Sequence, residues 1–166
     1  MTEFYNLVIE PLNKDHDRKS FRCGVESLDH YFISQAGQDV KRRISRVFVA
    51  AMYDNPKKVI GYYTLSSLSI ELHQIPEKLA QKLPKYPIPA ALIGRLAVSR
   101  FAQGNGIGKM LLADAIKRIL TVSSEIAVYA VVVDAISIEA QRFYENYGLI
   151  RIGDDKLRLF LPLQSF

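Results

Sequence analysis

At 166 residues the chain is long enough for one domain with a sizeable core and short for two, so a single domain spanning 1–166 is expected. A hydrophobic share of 49% against 23% charged is that of a soluble globular protein, and no apolar run approaches the roughly 20 residues of a membrane span. The 22 basic and 17 acidic residues leave a net charge of +5, which suits an anionic partner without requiring one. Met1-Thr2-Glu3-Phe4-Tyr5 lacks the basic stretch and apolar run of a signal peptide. The lone Cys23 cannot form an internal disulfide and fits a reducing cytoplasm. His16, His30 and His73 are scattered without metal-ligand spacing, so no metal site is expected.

Val8 to Leu12 reads as a short first strand. Ser27 to Val40 carries Leu28, Tyr31, Phe32, Gln35 and Ala36 near helical spacing, with Ser27 placed to cap it. Arg46–Tyr53 and Val59–Ser69 are rich in β-formers and flank the turn signal Asp54-Asn55-Pro56-Lys57, which predicts an antiparallel hairpin. Ile75–Leu83 reads as a short helix, and Pro84, Pro87 and Pro89 punctuate the connector after it. Ala91–Val98 is predicted as a strand and Lys109–Leu120 as a helix with Leu111, Leu112, Ala115, Ile116 and Ile119 on one face. Ile126–Val133 is nearly continuous apolar, as in a strand buried on both faces. Ile138–Tyr147 is predicted helical, and Lys156–Leu161 a closing strand stopped by Pro162. The order β-α-β-β-(α)-β-α-β-α-β points to an α/β or α+β fold with a mixed sheet.

Between the strand ending at Val98 and the following helix lies Gln103-Gly104-Asn105-Gly106-Ile107-Gly108. Its glycines expose successive backbone N–H groups where a helix begins, and helix N-termini are suited to anions, phosphate above all. An ordinary glycine-rich turn would have the same composition. The loop is not a P-loop, because Gln103 stands where the first glycine belongs and Met110 where the magnesium-binding hydroxyl belongs. Nor is it a dinucleotide fingerprint, because Gly104-x-Gly106 is followed by Lys109 and Gly106-x-Gly108 by Leu111. Basic residues cluster at Lys41-Arg42-Arg43 with Arg46, at Lys78, Lys82 and Lys85, and at Lys117-Arg118.

Gln103-x-x-Gly106-x-Gly108, preceded by Leu96-Ala97-Val98, resembles the acetyl-CoA pyrophosphate loop of the GNAT acyltransferases. Ala140-Gln141-Arg142-Phe143-Tyr144-Glu145-Asn146-Tyr147-Gly148-Leu149 resembles that family's A-x-x-F-Y-x-x-x-G-F element, with Leu149 in place of Phe. The resemblance implies the GNAT fold, a mixed, mostly antiparallel sheet flanked by helices whose central strands splay. It places pantetheine along the backbone of Leu96, Ala97 and Val98. It sets the pyrophosphate on Gln103, Gly104, Asn105, Gly106, Ile107, Gly108 and Lys109, and puts Phe143 against the cofactor or the core. Tyr144 would donate a proton to the departing CoA thiolate, a task for which a phenol protonated at neutral pH is suited. Glu71, Glu139 and Asp134 are conceivable bases, and the base is left unassigned.

Phe21-Arg22-Cys23-Gly24-Val25-Glu26-Ser27-Leu28-Asp29 is similar to the F-x-C-G-x-x-x-L-D opening of the GNAT toxins of bacterial type II toxin–antitoxin modules. Gly61-Tyr62-Tyr63-Thr64-Leu65-Ser66, Ile93-Gly94-Arg95-Leu96-Ala97-Val98 and Val133-Asp134-Ala135 resemble further stretches of that group. By that resemblance the substrate is aminoacyl-tRNA, acetylated on its α-amino group so that translation stops. The partner is a ribbon–helix–helix antitoxin, and the assembly a homodimer in the cytoplasm. Lys41, Arg42, Arg43, Arg46 and Arg95 are then candidate tRNA contacts, the other readings being a structural salt bridge at Arg95 and an exposed helix end or antitoxin-docking face at the Lys41–Arg46 cluster. Two alternatives stay open: a GNAT enzyme acting on a protein N-terminus, lysine or small amine, and a non-enzymatic nucleic-acid-binding or regulatory module retaining the fold.

Overall fold

Apolar and aromatic runs set the strands of the computed structural model, which describes residues 6–153 and 157–166. The elements in chain order are β1 (Leu7–Pro11), α1 (Glu26–Ser34), α2 (Ala36–Lys41), β2 (Arg46–Met52), β3 (Gly61–Ile70) and α3 (Glu77–Ala80). After these come β4 (Ile88–Val98), α4 (Ile107–Val122), β5 (Ala130–Asp134), α5 (Ile138–Glu145), β6 (Ile150–Arg151) and β7 (Arg158–Pro162). The strands form one sheet in the order β1-β2-β3-β4-β5-β7-β6. Their contacts divide into two units, Met1–Leu65 with Arg95–Ala115 and Ser66–Gly94 with Ile116–Phe166. No described helix is long and apolar enough to cross a membrane.

In the first unit β2 pairs antiparallel with both β1 and β3, from Leu7↔Met52 and from Arg46↔Leu65. This is the hairpin expected from the Asp54–Lys57 turn. Its core is aromatic: Phe32 stacks on Tyr62 with centroids 4.4 Å apart, and Phe21 meets both edge-on at 5.1 and 5.5 Å. Burying side chains of this size contributes about 1.5–3 kcal/mol each. The Tyr62 hydroxyl donates to the Leu28 carbonyl at 2.7 Å, tying α1 to the sheet. Tyr63 donates to Asp114 at 2.6 Å and ties α4 to it.

The single helix expected from Ser27 to Val40 is two. Ser27 does not cap it: α1 begins one residue earlier, behind Val25 and without a side-chain cap. Its entry is held instead by the Cys23 N–H donating to the Asp29 carboxylate at 2.8 Å. The break falls at Gln35 (φ −120°), where the Arg18 guanidinium reaches the Phe32 and Ile33 carbonyls at 3.4 and 3.5 Å and Gly37 lies beside it. An arginine far back in the chain thus covers the helix end, a contact that spacing within the helix could not reveal.

In the second unit β4 and β5 run parallel, in register from Ala90↔Ala130 to Ile93↔Val133, and β7 pairs antiparallel with β5. Ala130, Val131, Val132 and Val133 are all buried, as their apolar run implied. The strand is nevertheless shorter than Ile126–Val133. The chain leaving α4 uses Glu125 and Ile126 to bond the Val122 carbonyl, and Ile126 is 68% exposed. The stretch from Ile75 to Leu83 holds only the four-residue α3, because Pro76 precedes it and two looser turns end it. β4 starts three residues before the expected Ala91, since Pro89 faces solvent and keeps its carbonyl for the Tyr129 N–H. Pro162 is the last residue of β7, while Lys156, the expected start of that strand, lies outside the described residues, as does the 1–5 segment. The short β6 has no counterpart among the expected elements.

Candidate functional site

β4 loses its β5 partner after Ile93 and runs on from Gly94 to Val98. Leu96 and Val98 are half-buried and Ala97 is buried. A tight turn at Arg100–Ala102 follows, and then the glycine loop.

The loop is held from inside. The Gln103 Nε2 donates to the Cys23 carbonyl at 2.8 Å and to the Val98 carbonyl at 2.9 Å, so both side-chain protons serve the loop itself. The Arg100 N–H donates to the Arg22 carbonyl at 2.9 Å. Asn105 Nδ2 donates to the Ala102 and Gln103 carbonyls at 3.0 and 3.2 Å. The Phe21–Asp29 segment and the glycine loop, far apart in sequence, are therefore one structural piece.

Gly104 and Gly106 have φ of +82° and +78°, which favour glycine, and a Cβ built on either meets nothing within 4 Å. Open space thus lies in front of the turn. Met110 N–H donates to the Gly106 carbonyl at 3.2 Å, so Ile107, Gly108 and Lys109 occupy the first turn of α4, where N–H groups have no intrahelical acceptor. That turn carries no acidic residue and does carry the exposed Lys109. A cation at the positive end of a sixteen-residue helix is the wrong sign for the dipole unless an anion from outside meets both. Open glycines, unpaired helix-start amides and Lys109 together suit a phosphate-like anion.

In the second unit α5 is capped by Ser137, whose hydroxyl accepts from the Ala140 N–H at 3.1 Å. Tyr144 is 5% exposed on this helix, and Phe143 packs edge-on against both Tyr144 and Tyr147, each at 5.2 Å. Burial, with a smaller contribution from the Asp134 charge, pushes the Tyr144 phenol above its ordinary value. The group is thus a fully protonated donor at neutral pH, and its hydroxyl has no hydrogen-bond partner among the described residues. Of the conceivable bases, Asp134 is held by Arg158 at 2.7 and 3.0 Å, and Glu71 and Glu139 are exposed.

Lys41, Arg42, Arg43 and Arg46 are all exposed where α2 gives way to β2, and Arg43 takes φ +61° as the helix ends. Arg95 is half-buried, with its guanidinium over the Tyr31 ring at 3.5 Å. From the sequence Tyr31 is only a core position; no spacing rule pairs it with a residue on β4. Among the described residues no group of three or more metal-ligating side chains comes together.

The Acetyltransferase (GNAT) family profile matches residues 2–149. The chain is 35% identical over 149 residues to the tRNA-acetylating toxin of Mycobacterium tuberculosis, covering 90% of this chain and 87% of that protein. It is 32% identical over 167 residues to the probable toxin TacT of Sinorhizobium fredii, covering 95% and 92%. Among solved structures it superposes on AtaT complexed with acetyl-methionyl-tRNAfMet with a TM-score of 0.90 at 30% identity, covering 96% of each chain. It also superposes on an AtaT mutant bound to acetyl-CoA and the C-terminus of the antitoxin AtaR, with a TM-score of 0.82 at 28% identity over 97% and 96%. The chain belongs to the GNAT acetyltransferase family, which takes its acetyl group from acetyl-CoA.

Proposed function

We propose that this chain is a toxin of a type II toxin–antitoxin pair that moves acetyl from acetyl-CoA to the α-amino group of aminoacyl-tRNA and so blocks translation. The observation that carries it is the Gln103-stapled loop, whose open glycines and acid-free helix start call for an anion, in a chain similar over most of its length to a tRNA-acetylating toxin. The whole chain acts as one catalytic domain. The amides of Gln103 to Lys109 hold the pyrophosphate, the backbone of Leu96, Ala97 and Val98 bonds the pantetheine, and Phe143 sets the Tyr144 ring. When the acceptor amine attacks the thioester carbonyl, the C–N bond forms and the C–S bond breaks. Tyr144 gives its proton to the leaving sulfur, and the proton shed by the attacking nitrogen passes through solvent to restore the phenol. An aminoacyl ester amine is less basic than a lysine amine, so no strong base is required and none is assigned.

Lys41, Arg42, Arg43, Arg46 and Arg95 contact the tRNA. The protein works as a cytoplasmic homodimer, neutralised by an antitoxin of the ribbon–helix–helix type; the solved AtaT complex with its antitoxin supports an antitoxin partner. The test is to incubate the purified protein with labelled acetyl-CoA and charged tRNA, uncharged tRNA or peptides with free amines. Mass analysis of the tRNA-linked products should find acetylated aminoacyl groups from charged tRNA alone. Equal transfer to peptides, or transfer indifferent to charging, would overturn the proposal.

A further inference from the structure

Arg95 lies on β4, two residues past Ile93 and next to Leu96. Its guanidinium sits over the Tyr31 ring, 3.5 Å from the centroid. That ring is itself fixed: Tyr31 is 2% exposed, lies nearly parallel to Tyr62, and donates its hydroxyl to Asp39 at 2.8 Å. Among the described residues no carboxylate pairs with Arg95 and no acceptor takes its N–H groups, yet none of its nitrogens is sealed away without a partner. A half-buried arginine ordinarily spends its fork on a carboxylate or on carbonyls. Here the aromatic face holds the cation in place and leaves the donors open.

We propose that Arg95, set on Tyr31, clamps the last phosphodiester of the charged RNA, the one joining the aminoacylated terminal nucleoside to its neighbour. The proposal rests on the function above and names the part of the substrate this residue reads. A guanidinium fork matches phosphate oxygens bidentately. The pyrophosphate of the acyl donor is not its target, because that cradle begins past Val98, three residues of strand or about 10 Å further on. Within the acceptor, the terminal phosphodiester is the charged group nearest the reacting amine, one ribose away. Tyr31 is a positioning residue in this scheme.

The test is a double-mutant cycle with one arm on the RNA, using tRNA carrying a neutral methylphosphonate at its last linkage and then aminoacylated. Against wild-type protein that change should lower kcat/KM about 10- to 100-fold, and Arg95→Gln should do the same with normal tRNA. The two together should cost little more than either alone. Arg95→Lys keeps the charge without the fork and should retain part of the coupling. Tyr31→Leu should lose about 5- to 30-fold, while Tyr31→Phe, which keeps the ring, should restore the coupling. Acetyl-CoA affinity should hold throughout. Losses that multiply would overturn the assignment and leave Arg95 to a carboxylate of a protein partner, as would no loss in either arm or a matching loss of acetyl-CoA affinity. Failure of wild-type protein to acetylate unmodified charged tRNA is a separate result, and it would remove the function and this inference together.

Discussion

Gly106→Asp separates the cost of bending the loop from the cost of filling it. Gly106 has φ +78°, and an added Cβ meets nothing within 4 Å, so the free protein loses no packing. The backbone strain of an L-residue there is about 1–2 kcal/mol, which lowers stability without unfolding the chain. Binding suffers differently, because the new carboxylate enters the space required by the pyrophosphate and faces it with like charge. A loss of about 3 kcal/mol, roughly 150-fold in affinity, is expected. Gly153 is the control: it has φ +82° and equally open surroundings, so Gly153→Asp should carry the same strain and leave affinity alone. Calorimetry with CoA, beside thermal unfolding of both variants, reads the two costs separately. A folded Gly106→Asp protein that binds CoA within about threefold of wild type, or a control that loses as much, would refute the assignment of the loop.

Tyr144→Phe should leave stability and cofactor affinity nearly intact, since the hydroxyl bonds no described residue, and should lower single-turnover transfer by about 10²–10⁴-fold; wild-type turnover with chemistry limiting would remove Tyr144 from the mechanism. Burial foremost raises the Cys23 thiol to about 11 and the Tyr31 phenol to about 12, and pushes Tyr62 and Tyr144 up as well. These groups are neutral in both states below their ordinary values of 9.0 and 10.0, and above them the unfolded chain ionises first. Stability should therefore hold to about pH 9 and fall as pH rises through 11 and 12; thermal unfolding that is flat across that range would contradict the burial of these groups. Neutralising Lys41, Arg42, Arg43 and Arg46 should weaken charged-tRNA binding and flatten its salt dependence by about one unit of log–log slope for each phosphate no longer neutralised, with acetyl-CoA affinity unchanged. An unaltered slope would move that cluster out of the RNA interface.

Much of this protein is legible without coordinates, wherever a local rule suffices. The Asp54–Lys57 turn between β-rich runs predicts the β2–β3 hairpin, and the apolar run through Val133 marks the strand buried on both faces. Gln103-x-x-Gly106-x-Gly108 marks a loop opening a helix, and positive φ at Gly104 and Gly106 is what those glycines are for. The misses lie at ends and orientations, which contacts outside the periodic pattern decide. Arg18 ends α1, the Cys23–Asp29 bond holds the entry where a Ser27 cap is expected, and Pro89 is tolerated because it faces solvent. The resemblance speaks only of the Gln103 backbone amide; that its side chain joins the loop to Cys23 is seen only in the fold. Composition counts Arg95 among the basic residues, but only the packing of α1 brings Tyr31 beneath it. Backbone propensity and periodicity are written into short stretches of chain; which donors remain open, and toward what, is settled only when distant segments meet.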